Sequence, residues 1–128
     1  MDSLLDTHTL LWFVNDAPQM PSDVRDAIVD PGNAVSVSIA SFWEIGIKSS
    51  LGKLPLSGSI LSLEAIAQAQ DIGILPITVS AIHQMMQFPL HHKDPFDRLI
   101  AATALTFGLT LLSADTAFDL YGVPRVWG

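Results

Sequence analysis

The chain has no cysteine. That absence removes disulfides, thiolate metal ligands and a thiol nucleophile, and nothing asks for an oxidising compartment. Bases are scarce as well: 6 Lys and Arg stand against 13 Asp and Glu, for a formal net charge of -7. Nonspecific nucleic-acid binding normally rests on a basic footprint, so affinity for a polyanion must come from something other than bulk charge. No apolar run approaches the ~18 residues that span a bilayer, and no membrane association is expected. The N-terminus lacks the basic, apolar and small-residue series of a secretory leader, MDS running directly into SLLD. A cytoplasmic location follows as the expectation.

What the chain does have is apolar mass. Hydrophobic residues make up 49% of the 128, and mean hydropathy is +0.41. One domain over residues 1–128 can bury a sufficient core without staples. So apolar a chain either fills its core well or keeps apolar surface for a partner, and both are expected here. Repeats, low-complexity tracts and long linkers are absent from the sequence.

The elements alternate. Leu4–Asp6 reads as a short strand, followed by a helix with Leu10, Leu11 and Val14 on one face and a stop at Asn15-Asp16-Ala17-Pro18. Ser22 is a candidate N-cap for a helix running to Val29, and Pro31-Gly32-Asn33 breaks the chain. Ala34–Ser38 reads as a strand; Ser41 is a candidate cap for a helix carrying Trp43, Ile47 and Leu51 that stops at Gly52. Lys53–Ser59 is loop-like. Ser62–Asp71 reads as a helix, Ile74–Ile77 as a strand, and Ser80–Gln87 as a helix ending before Pro89. Phe96, Leu99, Ile100, Thr103 and Phe107 keep helical spacing up to Gly108. Thr110–Leu112 reads as a strand, a short helix begins near Asp115, and Val123–Val126 reads as a last strand. Short apolar strands alternating with helices indicate an α/β fold with a parallel sheet covered on both faces.

Four carboxylates fall where those strands and helices meet loops: Asp6, Glu44, Asp97 and Asp115. Each lies in an apolar segment, where an uncompensated charge is costly. Parallel sheets bind ligands beyond the carboxyl ends of their strands, at a topological switch point, and all four are expected at that edge. The 13 acids less these four leave nine against 6 bases, so the acidity is concentrated in the candidate site. Oxygen-only ligands suit Mg²⁺ or Mn²⁺, which keep several waters and acidify one of them for attack on a phosphodiester. Helix N-termini at Glu44 and Asp97 add partial positive charge toward a phosphate.

Each residue has a plainer reading. Glu44 would form an i,i+4 pair with Lys48. Asp94 and Asp97 flank Pro95 as helix caps, with Asp94 the better cap and Asp97 the better ligand. Asp115 would cap its own short helix, and Asp6 would be a turn residue. Thr7 and Ser113 adjoin or approach carboxylates and are candidates to hold a water or a phosphate oxygen. Lys48, Lys93 and Arg98 are candidates for RNA phosphates, against ordinary salt-bridging. His91 and His92 read as solvated, His8 as more structural than substrate-contacting, and Trp12 and Trp43 as core rather than base-stacking residues.

The series DTHTLLW, SIASFWEIGIKSSLGKL, HHKDPFDRLIAATA and SAD resembles the PIN-domain ribonucleases, in particular the VapC-type toxins of toxin–antitoxin pairs. The resemblance runs through essentially the whole chain in order. It implies a three-layer α/β/α sandwich around a short central parallel sheet. It also implies that Asp6, Glu44, Asp97 and Asp115 are the catalytic and metal-binding acids, with Asp119 near a further acidic position. The implied activity is a Mg²⁺- or Mn²⁺-dependent endoribonuclease, and the implied partners are RNA, a cognate antitoxin and a second copy of the toxin. Two other classes compete. An aspartate-based phosphotransfer domain of dehalogenase type wants a second Asp where His8 stands, and one of receiver type wants a late lysine that the chain lacks. A catalytically silent PIN-like binding module would keep the fold and lose turnover, which the intact quartet disfavours.

Overall fold

Leu4 and Leu5 face opposite ways from one strand, and that division organises the molecule. The computed structural model describes residues 1–89 and 94–128. Five strands form one sheet: β1 (Asp2–Leu5), β2 (Ala34–Ser38), β3 (Gly73–Leu75), β4 (Thr110–Leu112) and β5 (Arg125–Val126). All pairings are parallel and the spatial order is β3-β2-β1-β4-β5. Leu5, Val37 and Leu112 pack into one apolar cluster with Leu10 and Phe13 of α1 (Thr7–Val14), Val24 and Ile28 of α2 (Ser22–Val29), and Leu63 of α4 (Ile60–Ala69). Leu4 and Leu111 pack on the other face with Ala81 of α5 (Val79–Met86), Ile100 of α6 (Pro95–Phe107), and Phe118 of the 3₁₀ helix Thr116–Tyr121. α3 (Ile39–Ser50) serves both sides, with Phe42 and Ile45 in the first cluster and Ala40 in the second. The expected sandwich around a parallel sheet is what forms. No described helix is long and apolar enough to cross a membrane.

Several boundaries differ from the sequence expectation. Strand β1 ends at Leu5, and Asp6 is the N-cap of α1, its side chain accepting from Thr9 N. Ser22 is the first residue of α2 behind Pro21 rather than its cap. The cap of α3 is Ser38, whose hydroxyl accepts from Ala40 N, while Ser41 is buried inside the helix. Helix α4 starts two residues early because Ser59 and Ser62 form a reciprocal capping box. Thr78 caps α5. Strand β3 is Gly73–Leu75, so Ile77 falls outside it, and β5 keeps only two residues of Val123–Val126. Asp94 does cap α6, ahead of Pro95 in the first turn. His91, His92 and Lys93 lie outside the described residues.

The order 3-2-1-4-5 places the switch point between β1 and β4. Chain leaving β1 turns toward β2, and chain leaving β4 turns toward β5, so the loops after β1 and β4 part and open a crevice. Asp6 and Ser113 immediately follow those two strands.

Candidate active site

Asp6 is only 5% exposed although it is an acid at a loop. Its Oδ1 accepts from Thr9 N at 2.9 Å and from the Thr9 hydroxyl at 2.5 Å; Oδ2 accepts from the Ser113 hydroxyl at 2.6 Å. The Thr9 hydroxyl also lies 2.8 Å from the Leu112 carbonyl, tying α1 to β4. Burial pushes the Asp6 carboxyl above its ordinary range, and the bonds from Ser113 and Thr9 pull only part of the way back. The carboxylate is therefore held in place, partly desolvated, at the switch point.

Ser113 also accepts from Asp115 N at 3.0 Å, so one buried hydroxyl orders both strand-end acids. The Asp115 carboxylate caps the 3₁₀ helix through Ala117 N at 2.9 Å. Asp6, Asp115, Ala114, His8 and Trp12 line a cleft of about 240 Å³.

Glu44 occupies the neighbouring part of the edge and is 2% exposed. Its Oε1 accepts from the Thr7 hydroxyl at 2.6 Å, which also lies 3.1 Å from the Ser41 hydroxyl. Its Oε2 accepts from the Lys48 ammonium, which reaches Asp94 Oδ2 at 3.4 Å. Burial opposes the Lys48 charge, but the bond and charge of Glu44, with Asp94, raise its pKa. Asp94 in turn accepts from Phe96 N and Asp97 N, setting the first turn of α6 where Asp97 stands.

Two networks thus share the edge. One joins Asp6, Thr9, Ser113 and Asp115; the other joins Glu44, Thr7, Ser41, Lys48 and Asp94, and the consecutive residues Asp6 and Thr7 link them. Among the described residues, no three His, Asp or Glu side chains close around one point as a ready-made cage. Mg²⁺ is commonly held by one or two carboxylates with several waters, so the hard oxygen donors here still fit such an ion. Hydroxyls, a backbone amide and Lys48 already offset part of the charge on Asp6 and Glu44.

The remaining candidates are placed as follows. Arg98 donates to the Met85 carbonyl at 3.3 Å, bracing α6 on α5. Asp119 receives both arms of the Arg125 guanidinium, at 2.9 and 3.0 Å, and that bond holds its carboxyl below the usual range. Arg125 also donates to the Ser113 carbonyl at 3.1 Å. Thr9 and the cleft position of Trp12 were not singled out from sequence, and Ser41 was read as a helix cap and not as a neighbour of Glu44. The signal for Thr9 was its place three residues after an N-cap, where a capping partner belongs.

The same layout is found among known proteins. A family model described as the PIN domain matches residues 3–123. The chain belongs to the PIN-domain family. It is 29% identical over 130 residues to Ribonuclease VapC22 of Mycobacterium tuberculosis (strain ATCC 25618 / H37Rv), covering 97% of each protein. Its fold is similar to that in the crystal structure of VapBC2 from Rickettsia felis bound to a promoter DNA fragment, with a TM-score of 0.75 and 15% identity over 100% of both chains. It is also similar to VapBC-1 from nontypeable Haemophilus influenzae, with a TM-score of 0.69 and 17% identity over 98% of this chain and 97% of the other. The switch-point crevice is therefore the crevice of a PIN domain.

Proposed function

We propose that this PIN domain is a Mg²⁺- or Mn²⁺-dependent endoribonuclease acting in the cytoplasm as the toxin of a toxin–antitoxin pair. The observation that carries the reading is Asp6. A buried carboxylate, fixed by three hydrogen bonds and facing a cleft with a second acid, is a costly arrangement for mere capping. The ribonuclease relative supports the same assignment, as does the likeness of the fold to a toxin-antitoxin complex from Klebsiella pneumoniae and to VapBC-5 of Mycobacterium tuberculosis, a member of the VapBC family of toxin-antitoxin systems.

In this reading Asp6, Glu44, Asp97 and Asp115 hold the ion. When bound, it supplies an acidified water and neutralises charge building on the phosphoryl oxygens. Ser113 and Thr9 keep Asp6 from rotating away, and Thr7 with Lys48 does the same for Glu44. The burial behind Asp6 and Glu44 excludes bulk water from their rear faces and strengthens each interaction.

The partner is a cognate antitoxin, with the toxin itself a homodimer. Large apolar side chains remain on the surface, among them Trp43 at 56% exposure, Leu61 at 71% and Val79 at 82%. Such surface favours a protein partner. The test is cleavage of RNA by purified, antitoxin-free protein. Cleavage is expected in Mn²⁺ or Mg²⁺ and should stop in EDTA; equal cleavage in chelator refutes the metal mechanism.

A further inference from the structure

The acidic character of this PIN domain leaves a problem in holding its substrate. Four of its bases are already engaged: Arg25 with Asp16, Lys48 with Glu44 and Asp94, Arg98 with the Met85 carbonyl, and Arg125 with Asp119. A groove that tracks phosphates with free cations is not built from them. A grip on another part of the nucleotide would add to what the ion supplies at the phosphate.

The cleft supplies an aromatic face. His8 and Trp12 stand four residues apart on α1, which puts them on one side of the helix. Their rings lie 5.8 Å apart, and both line the cleft with Asp6 and Asp115. Trp127, just after β5, backs Trp12 at 5.7 Å with the planes tilted by 52°. Trp12 and Trp127 are half-buried against the core, so they lose little freedom on binding, while His8 is exposed. A fixed aromatic strip beside reacting acids suits a planar base, because every base has a π-face and stacking needs no positive charge.

We infer that His8 and Trp12, buttressed by Trp127, form a nucleobase-stacking subsite that holds an unpaired base of the RNA next to the scissile phosphate. The inference rests on the nuclease reading and assigns part of its substrate binding to rings instead of cations. A paired base presents no open face, so the subsite selects unpaired nucleotides.

The test is a cycle between protein and RNA. Single-stranded oligonucleotides carrying one abasic position, scanned along the sequence, are cleaved in Mn²⁺ by wild type and by Trp12→Leu. Leucine keeps apolar packing and lacks a ring. Loss of one stacked base is expected to lower wild-type kcat/KM roughly 5- to 150-fold at one or two positions beside the cut. Trp12→Leu should show a similar loss on intact RNA, and the abasic position should then cost it little more. Trp12→Phe should recover most of the loss.

Independent effects, with the abasic penalty as large in Trp12→Leu as in wild type, overturn the inference and leave the nuclease reading standing. Failure of wild type to cleave any RNA in Mn²⁺ overturns both. Should Trp12→Leu melt far below wild type, His8→Ala carries the same cycle, since an exposed helix residue is replaced without opening the core.

Discussion

Replacing Ser113 with alanine should destabilise the protein by an amount that depends on pH. The Ser113 side chain is fully buried; its hydroxyl donates to Asp6 Oδ2 and accepts from Asp115 N. Alanine removes both bonds and opens almost no space. A hydrogen bond to a charged group contributes about 1.5–3 kcal/mol, and stranding a buried polar group costs about as much, so the loss at neutral pH should be about 2–3 kcal/mol. In a domain of this size that lowers Tm by roughly 6–15 °C.

The pH dependence follows from Asp6. Its folded pKa is raised above the ordinary carboxyl range, with burial the largest cause. A raised carboxyl contributes stability that is present below the unfolded pKa and is lost as pH rises through the folded one. Ser113 favours the charged form, so its removal raises the folded pKa further and deepens the loss on the high-pH side. The cost of Ser113→Ala should therefore be largest near pH 7 and shrink toward about pH 4, where Asp6 is more often neutral. Urea unfolding of both proteins in EDTA at the two pH values measures it, because other carboxylates cancel in the difference. An equal cost at both values, or a cost below about 0.5 kcal/mol at pH 7, refutes the placement of Ser113 on a charged Asp6.

Other substitutions separate structural from chemical roles. Asp119→Asn should leave RNA cleavage and the Mn²⁺ response intact, since Arg125 occupies both Asp119 oxygens; loss of either would make Asp119 part of the metal site. The lowered Asp119 pKa means its ion-pair stabilisation is present above the unfolded carboxyl pKa and fades as pH falls through the folded one, so the gap between wild type and Asp119→Asn in melting scans should narrow in acid. Gly108→Ala should cost about 1 kcal/mol in urea unfolding, because Gly108 ends α6 at φ +65° while a Cβ there meets no atom within 4 Å. A neutral result would refute the conformational argument.

The fold was legible because its signals are local. Short apolar runs alternating with helical periodicity mark β1 to β4, and Asp94-Pro95 and Gly108 bracket α6 through residues that act on their own backbone. The caps of α2 to α5 were less legible. Ser38 and Ser41 both precede the apolar face of α3, and only the backbone turn at Ser38 decides between them. The positions of Asp6 and Asp115 were also readable: Asp115 caps its short helix as its plainer reading had it, Asp6 caps α1 where a turn residue was the plainer reading, and both line the cleft. What the sequence does not display is the bond from Ser113 to Asp6, which joins residues 107 apart across two strands. Trp12 was read as core and His8 as more structural than substrate-contacting, because the third ring beside them is distant in sequence. His8 and Trp12 show as neighbours on a helix, whereas Trp127 joins them only when β5 is laid beside β4.

The most direct test of the central claim, that the acids at the carboxyl edge are one metal-dependent nuclease site, compares wild type with Asp97→Asn in melting curves with and without Mn²⁺, beside a single RNA cleavage gel. At about 100 times its dissociation constant, Mn²⁺ should stabilise wild type by roughly 2.7 kcal/mol. Asp97→Asn should fold at least as well without metal, gain much less from Mn²⁺ and cut no RNA. An Asp97→Asn protein that keeps both the full Mn²⁺ stabilisation and cleavage would contradict the account.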